Sequence, residues 1–188
     1  MKKNIYYSLL ISAMVSVSVA EETRQVDKHE HGVGELNIAI EGNAIDFEFF
    51  IPGADIVGFE YEAKTESDIA LVNAALEKFG NFDNIFSLPE SSNCNLVNSE
   101  IGVNQDDDHD EHDDHDEHDD HNEEAHNEFV AHYSFNCENI KEIDRISFPY
   151  FTNFPNSGEL EVQFVSEKGS TGFEVEGDEP FIDLKGKI

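Results

Sequence analysis

The sequence contains few basic residues: Lys and Arg together number 11, against 42 Asp and Glu, and the formal net charge is −31. Nucleic acids and anionic membrane surfaces are bound through basic faces, so this charge argues against both classes of partner. A solubility adaptation to high salt and an attraction for cations would both produce such acidity. The composition leaves those two explanations open.

Long apolar runs and enzyme fingerprints are also missing. Beyond residue 20 no stretch approaches the roughly 20 apolar residues that cross a bilayer, which predicts no membrane span in the mature chain. The sequence has no HExxH, GxSxG, P-loop or dinucleotide-binding motif. We therefore expect a protein without catalytic activity.

The N-terminal 20 residues have the pattern of a secretory signal peptide. Lys2 and Lys3 form a basic start, an apolar segment follows, and Ser18-Val19-Ala20 supplies small residues before a cleavage site. We assign residues 1–20 to the signal peptide and residues 21–188 to a single metal-binding domain. The expected location is the periplasm.

Only two cysteines are present, Cys94 and Cys137. In an oxidising compartment, two lone cysteines are expected to form one disulfide. The alternative is a pair of thiolate metal ligands, which oxidation outside the cytoplasm disfavours. The pair brackets the most unusual segment of the chain.

That segment, residues 106–124, reads DDDHDEHDDHDEHDDHNEE, with thirteen carboxylates and no apolar residue. Its five histidines recur every third position: His109, His112, His115, His118 and His121. Short His-rich tracts are typical of metal binding, because imidazole is the commonest neutral nitrogen ligand. Because the segment has many like charges and no apolar residues to form a core, we predict a long disordered loop, with limits at residues 104 and 127.

Imidazole and carboxylate ligands favour Zn²⁺, and Cu²⁺ and Ni²⁺ remain open. Cu⁺ would need methionine or thiolate, and both methionines, Met1 and Met14, lie in the signal peptide. Calcium would need ordered oxygen ligands and the glycine turn of an EF-hand, which the run lacks. Since protons compete for imidazole, metal binding by the run should weaken below about pH 6.5.

A second group of histidines lies outside the run. His29 and His31 directly precede the first predicted strand, and they would share one face if that strand extended backward. A third ligand would come from His126 or His132, both on the face of their strand opposite its aromatic residues. The alternative is that all four are exposed histidines without a metal.

The hydrophobic pattern predicts a mainly antiparallel β domain with one short helix. Period-two alternation predicts a hairpin from Glu35 to Ile51 that turns at Gly42-Asn43. A helix is expected from Thr65 to Gly80, with a core-facing stripe of Ile69, Val72, Leu76 and Phe79. Two neighbouring strands should bracket the histidine loop, and the remaining strands are expected at residues 159–165, 171–176 and 181–184.

Residues 148–155 form a dense aromatic segment, FPYFTNFP. One interpretation is core filling at a corner of the sheet. The other is an exposed apolar patch that binds a partner, since large surface clusters can mark interaction sites. The pattern favours core filling.

Three segments of the chain form a recognisable set: HEHGVGELNI from His29, PGADIVGFE from Pro52, and the His/Asp insertion between Cys94 and the segment HNEF…YSFNC. They resemble the ZrgA-like family of periplasmic zinc-binding proteins. The resemblance implies a prism- or sandwich-like β body, zinc as the bound ion, and association with a zinc ABC importer. It also implies that His29, His31 and His126 are ligands, and it offers no counterpart for His132.

Together these patterns predict a non-catalytic periplasmic protein that captures Zn²⁺ with a histidine site and a His/Asp-rich loop. Its expected partners are zinc ions and the components of a zinc ABC importer. The alternative is a periplasmic buffer for zinc, copper or nickel that hands no metal to a transporter.

Overall fold

Alternating apolar residues build most of the molecule, as the sequence predicts. The computed structural model describes residues 32–105 and 127–188. Within these ranges the chain forms eight strands and three helices, in the order β1 (Val33–Glu41), β2 (Ala44–Pro52), α1 (Gly53–Val57), α2 (Glu66–Gly80), β3 (Cys94–Gln105), β4 (Asn127–Cys137), β5 (Arg145–Ser147), α3 (Tyr150–Asn153), β6 (Glu159–Ser166), β7 (Gly169–Glu176) and β8 (Phe181–Asp183). The mainly β fold class is confirmed.

Six of the strands form one sheet in the order β3-β4-β2-β1-β6-β7, and β5 pairs with β8 in a second, two-stranded sheet. Every neighbouring pair is antiparallel except β1 and β6, which run parallel. The sheet is therefore mixed, whereas the sequence predicted only hairpins. A parallel neighbour requires a long crossover connection, which leaves no local turn signal in the sequence.

One face of the six-stranded sheet carries the hydrophobic core. The predicted alternation is confirmed in β1, β2 and β4, whose core-facing side chains are buried: Leu36, Ile38, Ile40, Ile45, Phe47, Phe49, Ile51, Phe129, Ala131, Tyr133 and Phe135. Phe86 lies over this face and stacks on Phe47, with ring centroids 4.0 Å apart. We call the opposite side of the sheet the open face.

The helix α2 matches the predicted element. Thr65 caps it by accepting a hydrogen bond from the Asp68 backbone N–H, and Gly80 is its last residue. The predicted stripe is correct only in part, because Ile69 is 45% exposed whereas Phe79 is buried. The C-terminal half is held to the sheet by the Tyr133 hydroxyl, which donates to the Phe79 carbonyl at 2.6 Å.

The aromatic segment 148–155 belongs to the core. Phe148, Tyr150 and Phe154 are buried, and Phe154 stacks on Phe79 with centroids 5.0 Å apart. The interpretation as core filling is confirmed, and the exposed docking patch is wrong. Among the described residues no helix combines the length and the apolar character needed to cross a membrane.

Strands β3 and β4 form a long hairpin that has a disulfide at one end and the insertion at the other. Cys94 and Cys137 are directly paired at one end and form the predicted disulfide. At the other end Gln105 pairs with Asn127, and the histidine-rich insertion joins these two residues. The disulfide thus closes the hairpin at the end remote from the insertion.

Candidate metal site

The short helix α1 contacts both backbone positions that adjoin predicted histidine ligands. The carboxylate of Asp55 accepts a hydrogen bond from the backbone N–H of Gly32, at 2.9 Å. Two residues earlier, Gly53 lies against Asn127. Gly32 directly follows His31, and Asn127 directly follows His126. One helix therefore holds the chain at two points that are distant in sequence.

Gly32 is fixed on both of its backbone groups. Its carbonyl accepts hydrogen bonds from the N–H groups of Gly158 and Glu159, at 2.9 and 2.8 Å, while its own N–H donates to Asp55. Its φ angle is 91°, a conformation that suits glycine. Strand β1 begins only at Val33, so regular strand alternation does not extend backward through Gly32.

The close approach at Gly53 depends on the absence of a side chain. A Cβ atom at this position would lie 2.7 Å from the Phe59 carbonyl oxygen and 2.9 Å from the Asn127 carbonyl oxygen. Both atoms belong to the backbone and cannot move aside easily. The Pro52-Gly53 step therefore ends β2 and allows α1 to pack directly on the start of β4.

Asn127 is buried at this contact, with 3% of its surface exposed. Its backbone N–H donates to the Glu60 carbonyl at 2.8 Å, and its side-chain Nδ2 donates to the Tyr61 carbonyl at 2.5 Å. Within the described ranges, Oδ1 accepts no hydrogen bond. If the amide were flipped, Oδ1 would face the Tyr61 carbonyl oxygen, and two acceptors would meet. The hydrogen bond from Nδ2 to Tyr61 therefore identifies Oδ1 as the available acceptor.

Asp55 is 3% exposed, and its charge acts on the buried Tyr150. The Tyr150 hydroxyl forms a 2.6 Å hydrogen bond with Ser157. Burial raises the pKa of Tyr150, the hydrogen bond to Ser157 lowers it, and the negative charge of Asp55 raises it further. The hydroxyl stays neutral at physiological pH, so Tyr150 adds no second negative charge beside Asp55.

Most of the predicted ligands lie outside the described residues. This holds for His29, His31, the five histidines of the run and His126. Among residues 32–105 and 127–188 no group of three or more His, Cys, Asp and Glu side chains is arranged to hold a metal ion. The composition of the site therefore remains a prediction.

His132 is the one predicted ligand inside the described ranges. It lies on the open face, as predicted, with Glu48 and Glu100 as its cross-strand neighbours. Its Nε2 is 3.8 Å from Oδ1 of Asp46, which also accepts a hydrogen bond from Ser134. His132 is five positions along β4 from Asn127, a separation of about 17 Å in a strand. That distance is too large for His132 to share an ion with a histidine adjoining Asn127.

Two residues of this region were missed by reasoning from sequence, Asp55 and Asn127. In a chain with 42 acidic residues, nothing local distinguishes Asp55 from a solvated carboxylate. The only available signal was its position just after the Pro-Gly step that ends β2. Asn127 lies within the bounds predicted for a disordered insertion, whereas it pairs with Gln105 in the hairpin.

A comparison with known proteins agrees with the family resemblance of the sequence segments. No curated protein matches the chain. The profile described as "ZrgA family zinc uptake protein" matches residues 28–184, from just before the first histidine pair to the residue after β8. A match over most of the chain establishes membership, and the chain belongs to the ZrgA family of zinc uptake proteins.

Proposed function

We propose that this protein is a non-catalytic, periplasmic zinc-binding protein that supplies Zn²⁺ to an uptake system. His29, His31 and His126 are the proposed ligands of one defined site. The five histidines of the insertion, His109, His112, His115, His118 and His121, are proposed to collect zinc in several weaker arrangements. His132 is proposed at most as a separate, weak ligand on the open face.

The contacts of α1 carry the proposal of a defined site. Through Asp55 and Gly53 this helix holds Gly32 and Asn127 at the same end of the sheet. The HxH segment and His126 are each one peptide bond from these fixed residues. Two chain segments anchored by one short helix can supply ligands to one ion.

The buried oxygens of Asp55 and Asn127 suit the surroundings of such a site. Metal-binding imidazoles usually donate their second N–H to a carboxylate or carbonyl oxygen, which fixes the ring orientation. Oδ1 of Asn127 is a buried acceptor at this position, and Asp55 supplies negative charge. We propose that these two residues orient the ligands and do not bind zinc directly.

The insertion would raise the zinc concentration near the defined site. Thirteen carboxylates and five histidines are joined to β3 and β4 at the end of the hairpin that contains Asn127. Tethered weak sites raise the effective concentration of a ligand at a neighbouring site, as linked binding modules do. Zinc is the proposed ion because the family is a zinc uptake family and imidazole suits zinc.

Calorimetric zinc titration of mature, oxidised protein tests this division of roles. The variants are a deletion of residues 106–124 and, on that background, His29→Ala/His31→Ala, His126→Ala and the matched control His132→Ala. We expect the deletion to keep one tight site that the double variant loses and that His126→Ala weakens. The control should bind as tightly as its parent.

Two results would contradict the proposal. If the deletion removes all binding, the protein collects zinc only through its insertion. If His132→Ala weakens the tight site as much as His126→Ala, the site lies on the open face. Thermal unfolding checks that each variant is folded. Without zinc, each variant should unfold at the same temperature as its parent.

A second titration tests the role of Asp55. The variant Asp55→Asn keeps an oxygen that can accept from the Gly32 N–H and removes the negative charge. We expect zinc affinity at the defined site to fall about tenfold, the lower end of measured effects of changing a residue that orients a metal ligand. Unchanged affinity would show that Asp55 only shapes the fold.

Delivery to a zinc ABC importer is proposed from the family and is tested in cells. A strain that lacks the protein should take up less zinc when a chelator limits the supply. If uptake is unchanged there and tolerance of excess zinc, copper or nickel falls, the protein is a metal buffer without handoff. A panel of ester and phosphate substrates, assayed with the zinc form against free zinc, tests the absence of catalysis.

A further inference from the structure

An exposed pair of aromatic side chains lies beside the candidate metal site. Tyr61 is 56% exposed, whereas within residues 32–105 and 127–188 every other aromatic side chain is buried or half-buried. Its ring stacks on Phe59 with the centroids 4.6 Å apart, so the two rings form one apolar surface, which we call the aromatic pair. Tyrosine is enriched at protein interfaces, because it buries a large, rigid side chain at a small cost in entropy.

The backbone of the aromatic pair is fixed to the two elements that anchor the candidate site. Asn127 donates hydrogen bonds to the carbonyl groups of Glu60 and Tyr61, from its backbone and its side chain respectively. The Phe59 carbonyl lies against Gly53 in α1. The pair is therefore held in place by the same contacts that hold the site, and contact residues that are already ordered lose little entropy when a partner binds.

Acidic residues surround the aromatic pair in the sequence. Residues 60–68 carry one cation, on Lys64, and four carboxylates: Glu60, Glu62, Glu66 and Asp68. The insertion, with its thirteen carboxylates, joins the sheet at the same Asn127 that contacts the pair. An acidic surface that approaches this end of the sheet is repelled, and a basic surface is attracted.

We propose that the aromatic pair is the docking surface for the protein that accepts zinc from the defined site, and that this acceptor presents apolar side chains bordered by Lys or Arg. The inference rests on the proposed function, because direct transfer of an ion requires the acceptor to reach the site. The pair meets that requirement, since it contacts Asn127, the residue that follows the proposed ligand His126. A Lys or Arg side chain of the acceptor can also lie over an aromatic ring, which attracts cations.

Zinc uptake by cells that lack the native protein and express a variant of it tests this docking surface. Tyr61→Ser removes the exposed ring, and its matched control Val97→Ser removes an exposed apolar side chain from β3. Glu62→Lys reverses a charge next to the pair, and its control Glu167→Lys makes the same change between β6 and β7. Uptake under chelator-limited zinc, the amount of protein in the periplasm and the calorimetric zinc affinity of purified protein are measured for each variant.

We expect Tyr61→Ser and Glu62→Lys to lose most of the uptake that depends on this protein, while both controls keep it. Zinc affinity should be unchanged in all four variants, since Asn127 bonds to the backbone of Tyr61 and not to its ring.

Full uptake with Tyr61→Ser would overturn the docking surface and leave the proposed function standing. Weaker zinc binding by this variant would also overturn it, because the ring would then act on the site itself. Loss of uptake in Tyr61→Ser alone would rule out a basic acceptor. If a strain without the protein takes up zinc as fast as the parent, delivery itself fails, and the acceptor with it.

Two rival occupants of the aromatic pair are tested on the purified mature protein. The sequence has no tryptophan, and Tyr133 and Tyr150 are buried, so acrylamide quenching of tyrosine fluorescence reports mainly on Tyr61. We expect the same quenching with and without residues 106–124, and a monomer in sedimentation of the zinc form. Quenching that rises on deletion would assign the pair to the insertion, and a dimer that Tyr61→Ser abolishes would assign it to a second copy. Either result would contradict the proposal.

Discussion

The two faces of the six-stranded sheet are built by the same strands and have opposite chemistry. On the core face, aromatic rings such as Phe47, Phe49 and Phe135 pack on Phe86 with almost no exposure. On the open face, Glu35, Glu161 and Glu174 are direct cross-strand neighbours on β1, β6 and β7. Like charges in such positions destabilise a sheet. The apolar packing that stabilises this fold therefore lies on the core face, whereas the aligned carboxylates of the open face oppose folding.

Neighbouring residues on opposite faces should differ most in their contribution to stability. Phe47→Ala leaves a cavity among stacked rings and should lower the free energy of unfolding by about 3–5 kcal/mol. Glu48→Ala, one residue further on the open face, should change it by less than about 0.5 kcal/mol. Urea denaturation of the oxidised protein measures both. Similar losses for the two variants would remove the distinction between the faces.

High pH should destabilise the protein through two buried tyrosines of the core. Burial raises the pKa of Tyr133 and Tyr150 above the ordinary value of 10.0. Above pH 10 the unfolded chain loses these protons before the folded chain does. The contribution of these two tyrosines to the free energy of unfolding is therefore fully present below pH 10. Above pH 10 it falls by about 1.4 kcal/mol per pH unit for each tyrosine.

Tyr133→Phe identifies the source of that loss. The variant removes one of the two titrating groups, so the decline between pH 10 and 11 should fall to about half. It also removes the hydrogen bond to Phe79, which should cost about 1–2 kcal/mol at neutral pH. Tyr61→Phe is the control, because Tyr61 is 56% exposed. An unchanged decline in Tyr133→Phe would exclude its hydroxyl as the cause.

The smallest expected effect concerns the open face and has the opposite sign. Glu161→Gln removes a charge between Glu35 and Glu174 and should stabilise the protein by about 0.5 kcal/mol at low salt. The gain should disappear near 1 M salt, where charges are screened within about 3 Å. Glu48→Gln is the matched control, because its cross-strand neighbours are His132 and Asn37. Equal gains for both variants would point to net charge and not to adjacent carboxylates.

Strand alternation was sufficient to predict much of this sheet. The β1–β2 hairpin, the aromatic side of β4 and the pairing of Cys94 with Cys137 were all predicted correctly. Each depends on a local pattern or on the short distance that a hairpin imposes. The parallel pairing of β1 with β6 was not foreseen, since it joins segments more than 100 residues apart with no intervening turn signal.

The surroundings of the candidate site were harder to predict for a related reason. Asp55 is buried and accepts a hydrogen bond from Gly32, which is distant in sequence, and Asn127 is buried where α1 packs on it. Neither contact has a periodic signature. Ile69 shows the converse limit, because it fits a helical stripe yet is 45% exposed. The histidines were identified by residue type and spacing alone, and their arrangement stays a prediction.

The disulfide and the hairpin together have a consequence for proteolysis. A protease that cuts anywhere between Gln105 and Asn127 divides the polypeptide into two fragments. The fragments remain joined covalently by Cys94–Cys137 and non-covalently by eleven paired positions of β3 and β4. A nicked molecule therefore keeps its sheet intact, and the folded body outlasts damage to the insertion.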